Sequence, residues 1–286
     1  MDFEKLIFNY ETQIRLGFFF GTLSLIGLWE VLAPRRKLTE KKWLRWTNNL
    51  GLVFFNSIIS MMIFRFVFPA AAAGAALAAK NNGWGLFNTF EVPYWIAVIL
   101  SVIILDFIIY MQHVMVHAVP LLWRLHRVHH ADMDYDVTTG SRFHTIEIIL
   151  SMGIKIASII LIGPPVIAVI LFEIILNAMA MFNHGNISLP GPLDRILRWF
   201  VVTPDMHRVH HSIEYNESNS NFGFNISLWD RIFGTYKDQP KAGHESMTIG
   251  IHDFRESKQT SWISGMLLMP FTGKDSGYSI NRRGEK

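Results

Sequence analysis

Long apolar runs, separated by short polar stretches, organise this chain. Five runs approach the roughly 20 residues that a helix needs to cross a bilayer: 16–34, 49–78, 93–117, 146–162 and 165–182. The second is long, and Pro69 predicts a break that leaves an Ala-rich second part. The last two flank Gly163-Pro164-Pro165, where a helix has to stop. Each has about 17–18 residues, roughly 26 Å, so the pair predicts a hairpin that crosses and returns. Residues 1–15 are mixed in charge and no small-residue cleavage site follows, so the first run reads as a span and not a secretory signal.

Charge orients the spans. Arg35-Arg36-Lys37, Lys41-Lys42 and Arg45 form the densest basic loop, which belongs in the cytoplasm. The N-terminus is then expected outside, with residues 113–144 and everything after 183 on the cytoplasmic face. All twelve histidines fall there, although the charge rule did not use them. Within the spans, Lys155 and Glu173 sit at similar distances from the Pro164 turn and are expected at one depth, as a pair across the hairpin. Arg65 has no partner that the sequence names.

Composition sharpens the class. Half of the 286 residues are hydrophobic and 17% are charged, against about 25% charged in soluble domains. Cysteine is absent, which excludes disulfides, thiolate metal sites, iron–sulfur clusters and a cysteine nucleophile. No Walker motif, G-x-G-x-x-G fingerprint or G-x-S-x-G elbow gives ATP, dinucleotide or serine-hydrolase chemistry a footing, and no nucleic-acid partner is expected.

The histidines carry the chemistry. Eight of twelve fall in three groups: His113-x₃-His117, His126-x₂-His129-His130 and His207-x₂-His210-His211. Chance supplies roughly 0.02 copies of H-x-x-H-H in such a chain, and His-Arg-Val-His-His stands here twice. Positions i, i+3 and i+4 share a helix face, while adjacent histidines diverge by about 100° and suit two neighbouring metals. Eight to ten imidazoles are too many for one. Imidazole serves zinc, copper, iron and nickel. H-E-x-x-H is absent, which disfavours zinc hydrolysis, and triplets at a membrane face disfavour haem. Iron with O₂ fits a lipid-facing site; the spacing alone leaves the other metals open. Asp106 and Tyr110 extend the His113/His117 face at i−7 and i−3, as candidates to orient an imidazole. Asp205 and Glu214 flank the third group, to orient imidazoles or to cap helices.

The run Asp106-x₃-Tyr110-x₂-His113-x₃-His117, then Leu122-Trp123-x₂-His126-x₂-His129-His130, resembles the fatty acid hydroxylase / sterol desaturase superfamily. Arg142-Phe143-His144-x₂-Glu147, Asn183-His184-Gly185, Thr203-Pro204-x₂-His207-Arg208-Val209-His210-His211-Ser212, Asn219-x-Asn221-Phe222-Gly223 and Trp229-Asp230-Arg231-x-Phe233-Gly234-Thr235 are similar too. The resemblance spans roughly 93–240. It implies two histidine-held irons at the cytoplasmic face and O₂-dependent hydroxylation or desaturation of a sterol, fatty acyl chain, carotenoid or alkyl ether lipid. By position it adds His144 and His184, for ten ligands, and Asn183 joins Asp106, Tyr110 and Asp205 as a candidate to orient them. Many members carry Arg after the first histidine, where this chain has Val114.

The expected architecture is all-α: membrane spans and a basic loop over 1–92, a catalytic domain over 93–240 with a cytoplasmic helical cap, and a polar tail over 241–286 whose end, 275–286, is flexible. His244 and His252 read as solvated surface residues. Trp84, Trp95, Trp123, Trp199 and Trp229 read as interface anchors or packing residues, and Trp43 and Trp46 as part of an interfacial loop. With no fused cytochrome b5-like segment, electrons are expected from a separate cytochrome b5-, ferredoxin- or reductase-type donor. A bacterial inner membrane is favoured over the endoplasmic reticulum. Two other classes stay in view: a non-enzymatic metal-binding or transport protein, and a zinc-dependent lipid hydrolase.

Overall fold

A computed structural model describes residues 3–64, 71–273 and 280. The described chain is helical. In order come α1 (Phe3–Asn9), α2 (Glu11–Leu32), α3 (Lys42–Phe64), α4 (Ala71–Asn82), α5 (Leu86–Thr89), α6 (Tyr94–Ala118), α7 (Pro120–His130), α8 (Thr145–Ile162) and α9 (Val166–Asn183). Short helices follow: α10 (Gly191–Leu197), α11 (Pro204–His210), α12 (Tyr215–Ser218), α13 (Leu228–Ile232), α14 (Ser257–Thr260) and α15 (Ile263–Leu268). Among the described residues β structure is limited to two isolated bridges, Val201 with Ile226 and Ser212 with Ile249.

α2, α3, α6, α8 and α9 are long and apolar enough to cross a bilayer, which bears out the five expected spans in number. Two differ in extent. The second expected run is divided between α3 and α4; Arg65 and Pro69 lie outside the described residues. Asn56 of α3 donates to Phe143 O at 2.8 Å, beside the start of α8. Gly85, just past α4, abuts Gly163 at the far end of α8. The path from one end of α8 to the other is thus shared by α3 and α4. Small side chains let α4 press against α8 and α9, with Ala72, Ala73, Ala75 and Ala76 buried beside Ile159, Val169 and Phe172.

The first span starts earlier than expected, at Glu11 after the short α1. The reason is electrostatic. Arg15 reaches Glu11 at 2.7 Å and Glu173 at 3.1 Å, and Lys155 reaches Glu173 at 2.9 Å. The expected Lys155–Glu173 pair is present, and two residues read as lying outside the span complete it to a balanced foursome against α9. The hairpin turn works as the Gly-Pro-Pro string requires. Gly163 caps α8 at φ +67°, and a Cβ there would meet Trp84 O at 2.5 Å, so only glycine fits.

At the opposite end the chain builds a cap. Arg45, buried at the foot of α3, binds Asp132 at 2.7 and 2.9 Å and also holds Asp136. Asn49 donates to Thr138 and Trp46 to Asp136. Burial pushes the Asp132 carboxyl up, but Arg45 and Arg142 outweigh it and hold it at about 2. This network fixes the loop between α7 and α8. The basic loop is therefore more than a topology signal: Arg45 is internal, and Arg36 donates to His244 O and Met247 O. Residues 241–273, expected as a tail, pack on the cap, with Ile251, Phe254, Met266 and Met269 against Trp123 and Val128. Apart from Ile280, the expected flexible end lies outside the described residues.

The ionic foursome yields a test. Glu173→Met strands Lys155 and weakens Arg15, and removing one partner of a buried pair costs about 3–5 kcal/mol. Unfolding in mixed detergent should register that loss, and Lys155→Met/Glu173→Met together should cost less than Glu173→Met alone. Equal costs would show that the two charges do not share an interaction.

Candidate metal centre

Four segments deliver imidazoles to one buried volume. α6 brings His113 and His117, α7 brings His126, His129 and His130, the end of α9 brings His184, and α11 with its first following residue brings His207, His210 and His211. Among the described residues they form two groups: His113, His117, His126, His130 and His210 in one, and His129, His184, His207 and His211 in the other. Ligand atoms within each group lie within 4.8 Å of one another. The divergence of adjacent histidines is what divides them: His129 and His130 face different groups, as do His210 and His211. The groups abut, with the His130 and His211 rings stacked 4.6 Å apart.

The rings point nitrogen at nitrogen. In the first group the Nε2 atoms of His117 and His130 are 3.1 Å apart, and those of His113 and His210 3.0 Å. In the second, His184 Nε2 is 3.2 Å from the Nε2 atoms of His129, His207 and His211. His126 Nε2 is buried without a hydrogen-bond partner. A metal with nitrogen ligands at ~2.0–2.1 Å sets neighbouring nitrogens roughly 3.0–3.4 Å apart, so the spacing fits a ligand shell.

In five of the rings the outward nitrogen holds the pose, while Nδ1 of His129, His207 and His211 is buried without a hydrogen-bond partner. His113 Nδ1 donates to Phe222 O at 2.8 Å, His210 Nδ1 to Ser220 O at 2.7 Å, and His184 Nδ1 to Ala180 O at 2.7 Å. His126 Nδ1 donates to Glu147 Oε1 at 2.6 Å, and His117 Nδ1 faces Asn219 Oδ1 at 3.3 Å. A donor at Nδ1 leaves the Nε2 lone pair directed inward. Burial, and then the neighbouring imidazoles, hold His129, His130, His207 and His211 far below the usual imidazole range. Burial likewise brings His184 and His210 down to about 3. These rings are neutral at physiological pH, the state a metal requires. Gly140 allows the close approach: a Cβ would meet Ala180 O at 2.3 Å and His184 Nδ1 at 3.0 Å.

Nine of the ten expected histidines converge; His144 stands outside both groups. It caps α8, its Nδ1 accepting from Ile146 N at 3.2 Å while its Nε2 faces Leu267 O at 3.2 Å. Both nitrogens are engaged, which leaves no inward lone pair. The residues expected to orient imidazoles lie elsewhere. Asp106 accepts from Trp229 Nε1 at 2.8 Å, Tyr110 pairs with Thr235, and Asn183 donates to Phe224 O. Asp205 pairs with Arg208 and sits 3.7 Å from His244. Glu214 precedes α12 without a side-chain capping bond. Asp106, Tyr110, Asn183 and Asp205 brace the loops around the site. The groups that touch the rings, Glu147 and Asn219, stand inside recognised motifs, yet periodicity gave no sign of their role. His244 is buried, not solvated, and burial brings it down to about 4. His252 is exposed.

A family model described as Fatty acid hydroxylase matches residues 98–235. Ornithine lipid hydroxylase OlsE of Rhizobium tropici is 28% identical over 96% of this chain and 82% of that protein. Alkylglycerol monooxygenase of Xenopus tropicalis is 30% identical over 68% of this chain and 43% of its own length. Methylsterol monooxygenase 2-2 of Arabidopsis thaliana is 25% identical over 74% of this chain and 80% of that protein. No solved structure matches the chain. Span-length helices, the histidine site and these likenesses define a multi-pass membrane oxidoreductase. These likenesses support the fatty acid hydroxylase / sterol desaturase superfamily for this chain.

Two measurements follow from the geometry. His184→Ala should lower the metal content of purified protein while His144→Ala leaves it unchanged; equal losses would return His144 to the ligand set. Glu147→Ala should weaken metal binding about 10–100-fold in chelator competition, and Glu147→Gln, which keeps an acceptor for His126, should retain most of it.

Proposed function

We propose that this chain is an integral-membrane oxygenase that holds two irons and uses O₂ to oxidise a C–H bond of a lipid. The observation that carries the reading is the pair of abutting, all-imidazole groups, buried at one end of a bundle of span-length helices. Two irons bound there supply the O₂-dependent attack on an unactivated C–H bond. The nine convergent histidines hold them, His113, His117, His126, His130 and His210 on one side and His129, His184, His207 and His211 on the other.

The chain's own contribution is orientation and dryness. Carbonyls, Asn219 and Glu147 fix the ring poses. Phe143 stacks on His129 at 4.5 Å, and Trp123 lies 4.9 Å from His117, so apolar rings wall the site. A cavity of about 230 Å³ between α6, α7 and α8 is lined by Met115, Val116, Leu122, Leu125 and Leu150 and reaches Glu147. Such an apolar recess among span helices suits an alkyl chain arriving from the bilayer.

The near full-length likeness to an ornithine lipid hydroxylase supports an intact membrane lipid as substrate and hydroxylation as outcome. The basic loop supports a cytoplasmic position for the site, and a separate reductant supplies the electrons. The test is metal analysis of protein prepared without O₂ and with ample iron. About two irons per chain are expected, with O₂ uptake dependent on lipid and reductant, both abolished by His129→Ala. Tightly held zinc with turnover that ignores O₂ would point instead to a hydrolase, and metal flux across vesicles without O₂ uptake to a transporter.

A further inference from the structure

The cap carries an apolar surface that the metal chemistry does not use. Phe200 is 67% exposed, Ile196 60%, Ile232 58%, Trp199 57% and Phe233 51%. They come from α10, α13 and the residues just after each. The two pieces are one unit: Val202 N donates to Asn225 O, and Ser227 Oγ to Arg198 O. The Arg231 guanidinium lies 4.0 Å from the Trp199 ring and 3.9 Å from that of Tyr236. A contiguous patch of this kind marks an interaction surface.

Its height is fixed by α6. Trp229 donates to Asp106, and the Phe107 ring packs 4.9 Å from Trp229 and 5.8 Å from Phe233. Trp95 marks one end of α6, and about 30 Å of hydrocarbon counted from it at about 1.5 Å per residue ends near Met115. Phe107, with α13 beside it, then lies roughly 12 Å inside that boundary. The patch also continues the outward face of α6, where Ile99, Leu100 and Ile103 are exposed.

Polar groups of the unit turn inward, the reverse of a helix that faces water. Asp230 is fully buried and accepts from Phe222 N and Gly223 N at 2.7 and 2.8 Å. Arg198 is buried and pairs with Asp194 at 2.5 Å. Arg231 donates to Arg198 O between its two rings. Arg195 alone among the charges of α10 and α13 is exposed, and an arginine stem is long enough for a guanidinium to reach headgroups from an embedded helix.

We propose that residues 191–200 and 228–233 lie in the bilayer as an in-plane shelf against α6, with acyl chains covering Ile196, Phe200, Ile232 and Phe233. The cap is then partly embedded and not wholly cytoplasmic, and the shelf sets the depth at which the histidine site meets the lipid. The proposal stands whatever metal the site holds.

The chain has no cysteine, so single labels are unambiguous. Ile196→Cys, Phe200→Cys and Ile232→Cys would carry nitroxides in full-length protein, in phosphatidylcholine/phosphatidylglycerol vesicles. Collision rates with O₂ and with a water-soluble nickel chelate would be read against Ile99→Cys on α6 and Lys258→Cys on the exposed cap. The shelf labels should follow Ile99→Cys, with O₂ collisions several-fold above nickel. Behaviour like Lys258→Cys, or shielding from both reagents by a second copy or a partner protein, overturns the proposal. Unsubstituted protein gives an independent reading: lipids with a photoreactive group in the acyl chain should label peptides from 191–200 and 228–233, and absence of label there overturns it too.

Discussion

Buried imidazole nitrogens, set nitrogen to nitrogen at 3.0–3.2 Å, impose the constraint on which the rest of this molecule turns. His113 and His210 each donate outward from Nδ1, so their facing Nε2 lone pairs, 3.0 Å apart, repel one another unless a cation lies between them. The fold has to hold nine buried rings together, with that pair in a conformation that is unfavourable by itself, which calls for stiffness on every side. The Arg45–Asp132–Asp136 network under α7, the backbone carbonyls of 220 and 222, and the close packing at Gly140 supply it. Metal binding and folding stability are thereby coupled.

Function follows from where this rigid cluster sits. Span-length helices deliver α6 and α9 to it from the membrane side, and the cap closes it from the other. The recess between α6, α7 and α8 is lined mainly by apolar side chains and ends at Glu147, while the Phe143 and Trp123 rings pack against His129 and His117.

The helices and the histidine groups were legible because both are periodic signals. Apolar run length finds α6, α8 and α9 to within a residue or so, and H-x-x-H-H occurs twice in a chain of 286 residues with twelve histidines. The angular divergence of His129 from His130 even foretells the division into two groups. What escaped was set by long-range contacts. Glu147 touches His126 from 21 residues away, and Asn219 faces His117 from 102. His144 and His184 look alike in sequence, each a lone histidine at a helix boundary, and only the fold separates the ring that converges from the ring that caps α8. Asp106 shares the His113 face, yet it lies two turns away and is taken by Trp229. The start of α2 was misplaced because Glu11 and Arg15 look like surface charges until Glu173 stands beside them.

That foursome also bears on how the protein is made. Arg15 emerges from the ribosome 158 residues before Glu173, and 140 before Lys155. The first helix reaches the membrane while half of its ionic partners are still untranslated, so it cannot take its final position until the α8–α9 hairpin is inserted. Assembly of the N-terminal helix is thus a late event in biogenesis, completed by the helices that also carry His184 into place.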